Sequence, residues 1–470
     1  MDLPKALRQV TFFIVPFGFK KDYREVDTLI NHEHWELKKP ATDRLFDHIE
    51  QLVTDDPENE TSIGKRYVFK SQARTKVGLP NRVDAPIHFE NGDKKFAFAI
   101  SSLELYVFET QVGFFVYKIH YPGNIDISQI SEANYHLKKL GKVRGTKMYF
   151  LKKVSKEEQI EQIIVLDELI QSLVGNLEIE TYFEGGSSKG KEAIIYTSLF
   201  LDVNRIDCEN LICAYLFRLR RGFKDTYKPS PFEFNVNEHA DLMQIFENSY
   251  WGVSNEGLAN IITKTNDETA DTFFFTNYFS NIEGTYLYLY ILALHQKYAL
   301  LYLSIQVSHL PNKLKELECN FMEQSNLLEI WRRKLVYFVL RSSYKHVSRL
   351  THHADLYEMI RRRLRIEDLF AELQEELNGL ASLTELAEQK QRRHEEDVKR
   401  DKAEFFNKGL AYISVFFLPV TVISGLFGMN ISLVDKYKNS ESVFFGMMGV
   451  CYLITILILH RYWIKKQKSR

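Results

Sequence analysis

Cysteine is scarce in this chain: Cys208, Cys213, Cys319 and Cys451 are the four in 470 residues, and they are scattered. They suggest neither a disulfide framework nor a zinc site, and they fit a reducing compartment. Excess charge of either sign is also missing, since 61 lysines and arginines stand against 62 acidic residues. That balance argues against direct nucleic-acid binding as the main role. The sequence has no nucleophile elbow, dinucleotide fingerprint or zinc-protease motif, so no catalytic residue is assigned and an enzyme is not expected. His32, His34, His352 and His353 are paired but lack ligand spacing on one helix face. The N-terminus shows no small-residue cleavage pattern, so no signal peptide is read and the targeting information is expected near the C-terminus.

What is present begins with strands. Short β-branched and aromatic runs at residues 10–17, 66–69, 96–100, 103–108, 113–119, 147–151, 179–183 and 193–200 are mostly bounded by Gly, Pro, Asn or Asp. A hairpin is expected around Thr110 to Gly113, and helical periodicity over residues 156–173. Residues 1–250 thus read as an α/β or α+β domain with an antiparallel component. Residues 251–360 read as helical. Within them, residues 286–307 are apolar enough to imitate a membrane span, but His295, Gln296 and Lys297 interrupt the centre, where a charge in lipid is costly. A buried helix is the expectation.

The next segment, residues 361–408, is read as a long stem helix. Ile366, Phe370, Leu373, Leu377, Leu380, Thr384, Ala387, Gln391, His394, Val398, Asp401 and Phe405 follow steps of four and three, the spacing of a coiled-coil seam. Its apolar half precedes a polar half. Two readings stay open: a bundle that opens around water, or a charged helix joining two domains.

Residues 409–427 and 443–459 carry no charge, and each approaches the ~20 residues that cross a ~30 Å hydrocarbon core. Transmembrane helices are therefore expected at residues 409–430 and 443–464, joined by the short loop 431–442 and followed by a basic tail, 465–470. Lysines and arginines flank the outer ends of both runs, so the positive-inside rule places both termini in the cytoplasm. In the first span Asn407, Ala411, Ser414, Leu418, Thr421 and Gly425 form a stripe that is small or polar except at Leu418. Such a stripe is either a helix-packing face or a pore wall. Pro419 loosens the backbone ladder near the middle.

The first span ends FLPVTVISGLFGMN, with Gly428, Met429 and Asn430 at its outer end. Stem helix, span with this ending, short loop, second span and basic tail together resemble the CorA family of divalent-cation channels and transporters, most clearly over residues 365–470. The resemblance implies a funnel-like homopentamer in the cell's inner (plasma) membrane, with a cytosolic α/β domain and magnesium or a similar ion as the substrate. It also implies a filter at Gly428, Met429 and Asn430. Magnesium releases its inner waters reluctantly, so a ring of Asn430 side chains can select the hydrated ion through its outer sphere. Leu410 and Leu418 are candidate apolar gates, while Asp397, Asp401 and Glu404 are candidate cation-concentrating charges at the inner mouth.

Two departures from the family pattern matter. The loop ISLVDKYKNSES replaces the Met-Pro-Glu type loop common in magnesium carriers, and the N-terminal part is large. Both features are similar to a subgroup of CorA-like proteins that accompany type III CRISPR systems. That similarity implies an alternative function, a membrane effector opened by a nucleotide messenger such as SAM-AMP. Gly185, Gly186, Ser187, Lys189, Gly190 and Lys191 form a glycine-rich basic loop that matches GxxxxGK, but Glu192 replaces the magnesium-binding Ser or Thr and a strand follows. The loop reads as a hairpin turn or as a contact for a nucleotide-like regulator.

Overall fold

The computed structural model describes residues 3–467 apart from 57–58, 60–61, 142–143, 155–156, 164, 181–191, 205–208, 235–238, 318–319 and 429–440. The chain divides into two compact units, Met1–Leu380 and Ala381–Arg470.

The first unit is built on a mostly antiparallel sheet. Across it run Leu242–Phe246, Ser249–Val253, Gly257–Lys264, Ile194–Asn204, Ala6–Phe19, Val112–His120, Lys94–Phe108, Ile87–Asn91, Thr146–Val154 and Glu157–Gln162. Ile194–Asn204 and Gly257–Lys264 pair in parallel. Parallel neighbours need a crossover, and theirs contains the helix Glu209–Arg221. Gly257 has to be glycine, because a Cβ there would lie 2.3 Å from the Ile195 carbonyl oxygen and 2.8 Å from that of Arg220.

Ala6–Phe19, mid-sheet, is buried almost throughout. Alternate residues point to opposite faces. Phe13, Val15 and Phe17 share one core with the helices Ile127–Leu137, Leu166–Val174 and Glu209–Arg221. Phe12 stacks on Tyr196 at 5.5 Å, and Tyr196 in turn meets Tyr290 of the helix Leu287–Ser308 at 6.0 Å. With both faces covered, the strand reads as one apolar run with no alternation. Pro16 fits because the ladder with Ile194–Asn204 ends at Ile14 and the next pairing on that side starts at Gly18.

The hairpin expected near Thr110 joins Lys94–Phe108 to Val112–His120, with Gln111 at φ 62° in the turn. The runs 96–100 and 103–108 are one strand, and the register shift between Ile100 and Ser102 explains the break in its pattern.

Two expectations are corrected. Helical periodicity over 156–173 holds only from Leu166, because Glu157–Gln162 is a strand that adds to Thr146–Val154. There the open edge of a neighbouring strand outweighs local spacing. The helical region starts at Glu268 rather than 251, since Ser249–Val253 and Gly257–Lys264 complete the sheet.

Leu287–Ser308 is buried on nearly every side. Its polar centre is used internally. His295 stacks on Phe108 at 3.9 Å and hydrogen-bonds Thr110 at 2.9 Å. Gln296 accepts from Arg361 at 3.1 Å and donates to the Tyr357 hydroxyl at 3.2 Å.

The stem helix, Ile366–Gly428, is continuous and spans the division between the units. Of its seam, Ile366, Leu373, Leu377 and Thr384 are buried, and Arg332 of Phe321–Ser342 donates to Asn378 at 3.3 Å. The apolar half of the seam is therefore satisfied by the chain's own first unit. Further on, Ala387, His394, Val398, Asp401 and Phe405 are exposed. A second apolar helix, Glu441–Gln467, follows.

Candidate functional site

The candidate site lies on the apolar end of the stem helix, within the second unit. Alone among the described helices, the stem helix is long and apolar enough to cross a membrane, and only 11% of its most apolar window is buried.

One face of this helix meets Glu441–Gln467. Pro419 and Ile423 are buried there, with Val415 and Val420 half-buried beside them. The Phe416 and Tyr452 rings lie 5.5 Å apart, and the Tyr452 hydroxyl donates to the Phe416 carbonyl at 2.9 Å. This contact falls one turn before Pro419, where the missing N–H disturbs the backbone ladder. Sequence reasoning missed Tyr452. A phenol inside the second apolar run was the available signal.

The predicted stripe lies elsewhere. Asn407, Ala411, Ser414, Leu418, Thr421 and Gly425 are all exposed. The chain's own second helix is therefore not what the small residues accommodate. Thr421 resolves its hydroxyl proton locally, donating to the Phe417 carbonyl at 3.0 Å. Of the candidate gate residues, Leu410 is 47% and Leu418 60% exposed. Gly428 closes the helix. Met429 and Asn430, and the loop from Gly185 to Lys191, lie outside the described residues.

The candidate inner-mouth acids are largely paired along the helix. Asp397 meets Arg400 at 3.1 Å and Glu404 meets Lys408 at 3.5 Å. Asp401 has no ion pair among the described residues. Exposed pairs of this kind add little stability, and they reduce the field that a ring of acids would create. Among the described residues no three His, Cys, Asp or Glu side chains gather as a metal cage. His32 bonds the Asp27 carbonyl at 2.8 Å, and the His352 and His353 rings lie 4.5 Å apart.

No curated protein matches the chain. Residues 308–466 match the family model described as CorA-like Mg2+ transporter protein. The match opens at Ser308 and so takes in the Phe321–Ser342 and Thr351–Arg363 helices, well before the point near 365 where the resemblance is legible in the sequence. The sheet of the first unit lies outside it. Over residues 308–466 the chain is therefore similar to the CorA-like Mg2+ transporter family, with the stem helix and its exposed stripe inside the matched part.

Proposed function

We propose that this protein is a homopentameric channel for magnesium or another divalent cation in the inner (plasma) membrane. The stem helix lines the pore, and Glu441–Gln467 returns the chain so that both termini are cytoplasmic. The observation that carries this reading is an uncovered face of small and polar side chains on a membrane-length helix, inside the residues that match a Mg2+ transporter family. Such a face is costly in lipid and useful around water. Five copies would bring Asn407, Ser414 and Thr421 into successive polar rings, with Leu410 and Leu418 as apolar constrictions that gate by dewetting. Asn430, at the outer end beside Gly428 and Met429, would hold the hydrated ion through its water shell.

Control falls to the first unit, through a small anionic, nucleotide-like ligand whose affinity differs between the closed and open states. One observation favours a second reading on the same apparatus, a nucleotide-messenger-activated effector of type III CRISPR defence: residues 1–307 lie outside the family match, and a pore does not require so large a sheet domain.

Native mass spectrometry of the full chain in detergent should give pentamers, and monomers or dimers alone would overturn the assembly. Asn430→Ala should keep the pentamer but reduce magnesium flux into liposomes to background. Unchanged flux would refute the filter.

A further inference from the structure

The first unit contains a cleft of about 330 Å³ lined by Phe89, Tyr135, His136, Lys139, Met148 and Lys224 among others. Cavities of this size are at the lower end of those that hold small ligands. Two separate segments aim ammonium groups at one phenol. Lys139, just beyond the helix Ile127–Leu137, places its Nζ 3.1 Å from the Tyr135 hydroxyl and 4.1 Å from the centre of the ring. Lys224, beyond the helix Glu209–Arg221, places its Nζ 5.5 Å from the same ring.

The neighbouring lysines are already neutralised: Lys138 meets Glu192 at 2.7 Å and Lys94 meets Glu132 at 2.8 Å. Lys139 and Lys224 have no carboxylate in salt-bridge range among the described residues. Glu168 lines the cleft but is exposed and pairs with neither. A lysine at a helix C-terminus is commonly a dipole partner, and that accounts for Lys139 alone. Lys224 comes from another element, and two half-buried like charges beside one aromatic ring favour an anion between them.

The remaining wall is aromatic. Phe89 stacks on Phe96 at 4.5 Å and tilts against His136 at 5.5 Å, while Tyr135 and His136 meet edge to face at 5.2 Å. Burial, with Lys139, Lys94 and Lys224 nearby and against the pull of Glu132, holds His136 below the ordinary imidazole range. At neutral pH it is an uncharged ring able to hydrogen-bond. Glu192, the residue that follows the glycine-rich loop, enters the fold in a β-bridge with Lys139.

We propose that this cleft binds a small phosphorylated ligand bearing a planar aromatic ring, with Lys139 and Lys224 taking the phosphate charge and Tyr135, His136 and Phe89 walling the ring. The assignment rests on the reading that a nucleotide-like ligand controls the channel, and it gives that ligand a site.

The test is calorimetric titration of the full chain in detergent with AMP, ATP, adenosine and inorganic phosphate. AMP and ATP should bind, with adenosine and phosphate each at least about tenfold weaker than AMP, because each lacks one half of the contacts. Lys139→Ala and Lys224→Ala should each weaken AMP about tenfold, and Tyr135→Leu about fivefold, with the pentamer and its melting temperature unchanged. No binding of either nucleotide, or affinity unmoved by both lysine variants, would overturn the site. Phosphate binding as tightly as AMP would overturn the ring subsite. Nucleotide binding that is lost in the variants but leaves ion flux unaffected would uphold the site and remove the gating reading instead.

Discussion

Two helices of this chain look alike in sequence and have opposite surroundings. Leu287–Ser308 and the apolar end of Ile366–Gly428 are both rich in Leu, Ile, Val and aromatics, yet the first is enclosed by its own unit and the second is largely uncovered. Apolar content separates them only in degree, the stem helix alone among the described helices being apolar enough to span a membrane. The treatment of polar groups separates them in kind. Leu287–Ser308 connects His295 and Gln296 to distant partners, Thr110, Tyr357 and Arg361. The stem helix bonds Thr421 to its own turn and leaves Asn407 and Ser414 exposed on one face. A core helix resolves its polarity through tertiary structure, whereas a span resolves it within itself or turns it toward a pore.

The most severe test places the same charge in both helices. Leu292 is fully buried, so Leu292→Lys leaves an unpaired charge in the core at a cost of roughly 4 kcal/mol or more. Against a typical stability of about 5–15 kcal/mol, the first unit should lose its cooperative melting transition and near-UV circular dichroism. Phe417 is 56% exposed. Phe417→Lys should spare that transition and reduce carbonate-resistant membrane integration, since lysine in a span costs about 2.5–3.5 kcal/mol. If the two variants behave alike, the distinction fails.

A second substitution sharpens the uncovered side. Leu418→Ser replaces the apolar member of the stripe, and a dewetting gate should then leak. Ligand-free magnesium flux into liposomes is expected to rise several-fold with the pentamer intact. Flux at the wild-type level would remove Leu418 from the gate.

The enclosed side has a pH signature. Burial pushes the His295 imidazole down to about 3, and burial with His352 and Arg44 pushes His353 down to about 4. Both lie below the ordinary value of 6.5, so between pH 6.5 and those values the unfolded chain binds more protons than the folded one. Stability is then full above about pH 6.5 and declines as pH falls. The melting temperature of the first unit should drop by several °C between pH 7 and 4.5, at roughly 2–4 °C per kcal/mol for a unit of this class. His295→Gln should flatten that slope, and a melting temperature equal at both pH values would contradict it.

Much of this was legible because local pattern and global fold agree. The uncharged runs, the FLPVTVISGLFGMN ending and the strands around Phe13, Val107 and Phe115 all report their elements directly. Glu157–Gln162 was not legible, because its strand state depends on an edge supplied by Thr146–Val154. The spacing of Leu373 and Leu377 is that of a coiled-coil seam and leaves its partner open, and these residues are buried by helices of the same chain. Spacing tells which residues share a face but not whose surface will cover it. The Lys139 and Lys224 cleft was invisible for a similar reason, since its two charges are far apart in sequence and meet only through the packing of two helices on one sheet.

The smallest effect concerns the contact between the two apolar helices. Pro419 has no N–H to give the carbonyl four residues earlier and crowds the turn before it. Tyr452 supplies a donor to the Phe416 carbonyl within that turn. Interhelical hydrogen bonds in membranes average only about 0.6 kcal/mol and reach about 1.7, so Tyr452→Phe alone should lower the melting temperature of the detergent-solubilised protein slightly. The informative quantity is the coupling. Pro419→Ala restores the N–H that bonds the Val415 carbonyl; with that turn regular, the neighbouring Phe416 carbonyl is served by the Val420 N–H, and Tyr452→Phe should then cost little further. A double-mutant cycle over the two substitutions should therefore be non-additive. If the effects simply add, Tyr452 serves the packing of Phe416 and not the backbone at the bend.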